Sequence, residues 1–184
     1  MPLQTPAAAV VAALTVLLLM CQANAQPALR ITGYGEATFG REVGIRDPGT
    51  VEGDTEPVRT VDGAQIVQQT SRIEARLCRR FGITFMLEGL ETGGSLDITI
   101  QTRHPAITRP DGQVTTGVRY PSSVSAGRPN WIGYTFDYAY ELVPGTWSFA
   151  VLHGGNVLAE QQFEVTVPPD ADPHAPGRCA ALVS

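Results

Sequence analysis

The stretch NWIGYTFDYAYELVPGTWSFAVLHGGNVLAEQQFEVTV, Asn130–Val167, decides the fold class. It holds three apolar-alternating runs. Ile132, Tyr134, Phe136, Tyr138 and Tyr140 share one face of the first, and Trp147, Phe149 and Val151 one face of the second. In the third, Phe163, Val165 and Val167 oppose Gln162, Glu164 and Thr166. Period two with aromatic and β-branched enrichment is the signature of strands. Pro144-Gly145 and Gly154-Gly155-Asn156 punctuate the runs, and the diglycine supplies the positive φ of a short hairpin loop. The stretch therefore predicts an antiparallel three-strand meander that carries the densest part of the core. Trp147 is expected to be a buried anchor. Trp131, on the other parity, is expected at the surface. The tyrosine-rich row is read as the core face of a central strand, because the neighbouring runs present matching apolar faces; the alternative is an exposed platform for sugar rings.

Outward from this stretch the same period recurs. Arg80–Glu88, RFGITFMLE, places Phe81, Ile83, Phe85 and Leu87 on one face, and Ser95–Thr102 does the same with Leu96, Ile98 and Ile100. Leu29–Phe39 reads as a first strand whose Gly33 and Gly35 signal a bulge or a close backbone approach. Ile73, Ala75 and Leu77 favour a strand within Ala64–Leu77, and Val114, Val118 and Tyr120 suggest another. Between them, Pro105–Gly112 and Pro121–Pro129 read as loops. Gly40–Gly63, rich in Gly, Asp, Glu and Pro, reads as one long polar loop, mobile or functional. The count is about eight strands, at turn spacings typical of an all-β sandwich or barrel.

Residues 1–25 read as a signal peptide. Ala7–Met20 is an apolar run of the right length, and Ala23-Asn24-Ala25 supplies the small residues of a cleavage site before Gln26. The alternative is a lipoprotein signal ending at Cys21, disfavoured by the bulky Met20 before it. The expected layout is therefore a signal at 1–25, a sandwich at 26–167 and a proline-rich tail at 168–184, in a protein of the periplasm or the exterior. No run in the mature chain suits a transmembrane helix. The mature chain, about 160 residues, is long enough for one domain that buries roughly 70% of its unfolded surface.

The formal net charge is −5, and all 13 basic residues are arginine. Without lysine there is no Schiff-base or P-loop chemistry. No basic stripe points to nucleic acid. Arg72, Arg76, Arg79 and Arg80 cluster, and are read as protective charge along a strand edge. With Cys21 removed, Cys78 and Cys179 form an even pair in an oxidising compartment, which predicts a disulfide; the alternative is two separate thiols.

Motifs for chemistry are sparse. Gly33-Tyr34-Gly35 has the wrong spacing for a dinucleotide loop, and Ser123-Val124-Ser125-Ala126-Gly127 fails the nucleophile elbow at its first position. His104 and His153 sit at strand ends, where a sandwich rim would gather them. His174 lies near Asp170 and Asp172. All three histidines are read as ordinary solvated loop residues; the alternative for His174 is a weak metal site in the tail with Asp170 and Asp172. Asp54 and Glu56 fall in a polar segment without the rigid placement that acid–base work needs. No catalytic, cofactor-binding or metal-ligating residue is assigned.

Two patches carry a resemblance. One is Arg80-Phe81-Gly82-Ile83 with Glu88-Gly89, followed by His104-Pro105. The other runs Tyr140-Glu141-Leu142-Val143-Pro144-Gly145-Thr146-Trp147-Ser148-Phe149, then Phe163-Glu164-Val165. The chain resembles an uncharacterised bacterial family of unknown function. That resemblance implies an immunoglobulin-like antiparallel sandwich over most of Leu29–Val167, with no catalytic residue to carry across. Gly40–Gly63 and the cysteine-bearing tail read as departures from the family. The expected function is a non-enzymatic binding or structural module of the cell envelope, its partner an envelope protein or a glycan. The alternatives are a glycan-binding module with exposed aromatics, which needs Trp131 and tyrosines facing solvent together, and a metal-assisted hydrolase, which needs a rim histidine to meet carboxylates.

Overall fold

The computed structural model describes residues 27–46, 52–53, 58–171 and 179. Residues 1–25 with Cys21, and Asp54, Glu56, Asp172 and His174, lie outside the described residues. Eleven strands and one 3-10 turn are present among those described. In chain order the strands are β1 (Ala28–Thr38), β2 (Arg41–Arg46), β3 (Val58–Asp62), β4 (Gln65–Gln69), β5 (Arg72–Glu74) and β6 (Arg80–Glu88). They continue with β7 (Ser95–Thr108), β8 (Val114–Ser125), β9 (Asn130–Thr135), β10 (Gly145–His153) and β11 (Asn156–Thr166). The turn, Ala139–Glu141, lies between β9 and β10.

Two sheets face each other. One has the order β4-β1-β6-β9, the other β5-β11-β10-β7-β8. Every pairing is antiparallel except that of β5 with β11. The inward residues of β6, namely Phe81, Ile83, Phe85 and Leu87, are buried, as the alternation predicts. They meet Trp147, Phe149 and Val151 of β10 and Phe163 and Val165 of β11 in one core. Phe81 is its hub, with ring centroids 5.3–5.7 Å from Phe136, Trp147, Phe149 and Phe163. The fold is the expected all-β sandwich, but with more strands than eight.

Three expectations need correction. First, the meander is broken. β10 and β11 form the hairpin expected at Gly154-Gly155, but β9 belongs to the opposite sheet and pairs with β6. Alternation fixes which face a residue takes and leaves the partner strand open. The segment Phe136–Pro144 carries the chain across through the 3-10 turn, so the tyrosine row ends as a row at Phe136. Tyr138 and Tyr140 stack on each other instead, 5.0 Å apart at 13°.

Second, the loop assigned to Gly40–Gly63 contains β2 and β3, paired antiparallel from Arg41↔Asp62 to Arg46↔Val58. The strands are short, so their alternation was masked by the Gly, Asp and Pro residues between them. Third, β7 and β8 run through Pro105 and Pro121. Pro105 falls at a register shift between Arg103 and Ile107, and Pro121 lies on β8, an edge strand. These are the two places where a sheet tolerates a residue without an N–H.

The glycines of β1 behave as read. The register shifts between Ile31 and Gly33, and a Cβ on Gly35 would lie 2.0 Å from the Gln68 carbonyl oxygen. Cys78 and Cys179 are joined by a disulfide, with Cα atoms 5.0 Å apart, inside the ordinary range. No helix among the described residues is long and apolar enough to cross a membrane.

Candidate functional site: a cleft beneath the β2–β3 arm

A sandwich has open sides where the edge strands of its two sheets fail to pair. Here β9 is an edge of one sheet and β8 an edge of the other. The β2–β3 arm joins neither sheet and is tied to both edges. Glu52, in the connection between β2 and β3, exchanges two backbone hydrogen bonds with Arg119 of β8, at 2.7 and 2.8 Å. Arg59 of β3 donates from Nη1 to Asp137 Oδ2, just beyond β9, at 2.8 Å, and lies 3.6 Å from Glu42 of β2. Between arm and edges is a cleft of about 430 Å³.

The floor is shaped by glycine. Gly82 of β6 and Gly133 of β9 are cross-strand partners on the outer face of their sheet. A Cβ on Gly133 would lie 2.3 Å from Trp131 Cζ2, and one on Gly82 would lie 2.9 Å from Trp131 Cη2. The indole therefore lies over ground that any side chain would occupy. Phe39 meets Trp131 edge-on at 5.4 Å, and the Arg80 guanidinium lies 4.8 Å from the centre of the Phe39 ring. Trp131 is thus half-buried, and not the free surface residue its parity suggests.

The inner end of the cleft is closed by Glu141, which is 5% exposed. Its Oε2 accepts the backbone N–H groups of Asp137 at 2.6 Å and Tyr138 at 3.0 Å, and the Tyr134 hydroxyl also bonds to the carboxyl group. Burial pushes its pKa up from 4.5 to about 7, against the opposing pull of these donors. Its neighbour Asp137 faces Arg59.

The sequence-based candidates are scattered. His104 is buried within β7, its ring 4.9 Å from Trp147 and its Nδ1 2.7 Å from the Pro105 carbonyl oxygen. His153 is exposed at the end of β10, its Nδ1 2.7 Å from the Asp97 carbonyl oxygen. Leu152 pairs with Thr99, so His153 falls opposite Ile98, six residues from His104, and the two histidines stand roughly 20 Å apart along the sheet. Only His153 is at a rim. Among the described residues no cluster of three His, Cys, Asp or Glu side chains converges. Asp170 instead holds Arg76 through two hydrogen bonds, 3.0 and 3.1 Å, which keeps the Asp170 carboxyl below its usual range.

The glycan reading needed Trp131 and tyrosines exposed together. Tyr134 turns inward to Trp147, 4.9 Å away, while Tyr138 shares the cleft with Trp131. The arginine cluster divides as well. Arg72 is the exposed edge charge expected, Arg79 pairs with Glu36, and Arg80 enters the cleft. Phe39, Arg59, Arg80, Asp137 and Glu141 were not singled out as site residues. Sequence held no signal for the arm that gathers them, beyond the weak alternation of Val58 and Thr60 with Arg59 and Val61.

Two packed, mainly antiparallel sheets form an immunoglobulin-like β-sandwich, here with an arm bridging two of its edges. The chain belongs to the family described as a domain of unknown function (DUF3859), matched over residues 41–165. That match begins at β2, so the arm lies inside the matched residues and is not the departure the sequence suggested. Cys179 lies beyond them. The chain is also similar to the crystal structure of an immunoglobulin-like protein from Pseudomonas aeruginosa, with a TM-score of 0.51 and 27% identity. The likeness covers 69% of this chain and all of that one. None of the curated proteins matches its sequence.

Proposed function

We propose that the protein is a non-enzymatic binding module of the bacterial envelope that takes its ligand in the cleft beneath the β2–β3 arm. The observation that carries this is the cleft itself, with a floor formed by the Trp131 indole laid over Gly82 and Gly133 and a roof anchored at both sandwich edges. Its volume suits a small molecule or a short segment. A signal-like leader and a disulfide support export. The test is fluorine NMR on protein labelled with 5-fluorotryptophan. The two indoles report separately, Trp131 from the cleft and Trp147 from the core. Adding fractionated small molecules from an envelope extract should shift the Trp131 resonance and leave Trp147 in place. If no fraction moves Trp131, or if ligands move only Trp147, the cleft is not the binding site.

A further inference from the structure

We propose that the cleft binds a small organic carboxylate, its anionic group on the Arg80 guanidinium and its apolar or ring-shaped body against Phe39 and Trp131. This rests on the cleft reading and names the ligand class.

The argument begins with charge. Burying an arginine is costly unless something negative meets it. Arg59, Arg76 and Arg79, also partly buried, each face a carboxylate. Arg80 faces none among the described residues. Its Nε is sealed from solvent and has no hydrogen-bond acceptor, the single such side-chain atom among them. Its guanidinium lies over the Phe39 ring. The acids that line the cleft are already engaged. Glu42 and Asp137 turn to Arg59, and Glu141 turns to the backbone of Asp137 and Tyr138. Among the described residues Arg80 and the exposed Arg41 are left without a carboxylate partner, in a protein whose overall charge is −5. The lining as a whole is balanced, Arg41, Arg59 and Arg80 against Glu42, Asp137 and Glu141, so the preference for an anion is local to the Arg80 guanidinium.

The kind of anion follows from the same geometry. The planar guanidinium fork matches a carboxylate. One half-buried guanidinium balances a monoanion, whereas a phosphate dianion calls for more donors. The cleft volume, about 430 Å³, fits a small molecule and not a folded partner. Beside Arg80, the Phe39 and Trp131 rings offer apolar surface for the remainder of the ligand.

The test uses four probes, glucuronate and phenylacetate and the methyl ester of each, titrated calorimetrically into the intact protein. The ester keeps the ring and removes the charge. At least one acid should bind about tenfold or more tightly than its ester, the order expected of hydrogen bonds to a charged group. Which acid binds better separates a sugar source from an aromatic one. R80Q should abolish the acid–ester difference while keeping the circular dichroism spectrum of the wild type. The inference is overturned if each ester binds as tightly as its acid, if none of the four binds, or if folded R80Q keeps the full difference. The acid–ester comparison needs no variant, so it decides the matter even if R80Q does not fold. Equal binding of acid and ester with a shifted Trp131 resonance would remove the carboxylate and leave the cleft reading standing.

Discussion

Trp147 is 0% exposed and touches rings on three sides, with Tyr134 and His104 at 4.9 Å and Phe136 at 5.5 Å. Its Nε1 donates to the Val143 carbonyl at 3.4 Å. Trp147→Ala removes this ring from a close-packed core and should cost about 3–5 kcal/mol, a large share of the roughly 5–15 kcal/mol that holds a domain together. Trp131 lies on the outer face with one side against glycine, so Trp131→Ala should cost about half as much or less. Urea midpoints of the two variants test the order. Glu141 gives a second prediction at this scale. Its folded pKa, about 7, lies above the ordinary 4.5, so the folded state binds the proton more tightly. Stability from this group is fully present below pH 4.5 and is lost as pH rises through about 7. The loss is on the order of 3 kcal/mol across that window, at about 1.4 kcal/mol per pKa unit. Glu141→Gln keeps an acceptor for the two N–H groups and removes the ionisation. Unfolding free energies of the variant, measured from pH 4 to 8, should lack this fall; an equal fall in both proteins refutes the assignment to Glu141.

The β2–β3 arm is the element with the weakest hold on the rest. Its two strands pair only with each other, its connection adds the single Glu52–Arg119 backbone bridge to β8, and its side-chain tie to the sandwich among the described residues is Arg59 to Asp137, with 29% and 17% of the side chains exposed. A single ion pair of this exposure is worth about 1 kcal/mol or less. Arg59→Ala should therefore leave the global unfolding midpoint nearly unchanged and speed amide exchange in β2 and β3 alone. Equal acceleration throughout β6 and β10 would mean that the arm is part of the cooperative core. The floor beneath behaves in the opposite way. A Cβ on Gly82 would lie 2.2 Å from the Ile132 carbonyl oxygen and 2.5 Å from the Gly133 Cα, both backbone atoms of the paired strand. Neither can swing aside, so Gly82→Ala should separate β6 from β9 and cost about 1–3 kcal/mol, seen as a lowered urea midpoint.

Across the whole molecule, the disulfide joins positions 101 residues apart, from the turn before β6 to the C-terminal segment. Backbone bonds support both ends, Cys78 N–H to the Phe136 carbonyl and Cys179 N–H to the Asp137 carbonyl, each at 2.9 Å. The bridge is thus fastened to the same crossover that carries Asp137 and Glu141 into the cleft. Closing a loop of this length is worth about 4–5 kcal/mol in the chain-entropy account. Replacing both cysteines by serine should lower stability by about 2–5 kcal/mol and loosen the crossover. Thermal melts with and without reductant measure the first effect, and amide exchange at Phe136–Glu141 the second.

The strand faces were legible in the alternation of residues alone. Phe81, Ile83, Phe85, Trp147, Phe149, Val151, Phe163 and Val165 are buried as alternation dictates, because a residue's side of a pleated strand depends only on its position in that strand. The sequence also located the hairpin at Gly154-Gly155, since positive φ is a local demand, and it marked the cysteine pair. Which sheet β9 joins was decided only in three dimensions. Its alternation is equally satisfied beside β10 or beside β6, and the choice depends on which arrangement buries Ile132 against the opposing sheet. The same holds for the cleft. Phe39, Arg59, Arg80, Trp131 and Glu141 come from five separate segments, and no local pattern records that an arm crossing two sheet edges brings them together.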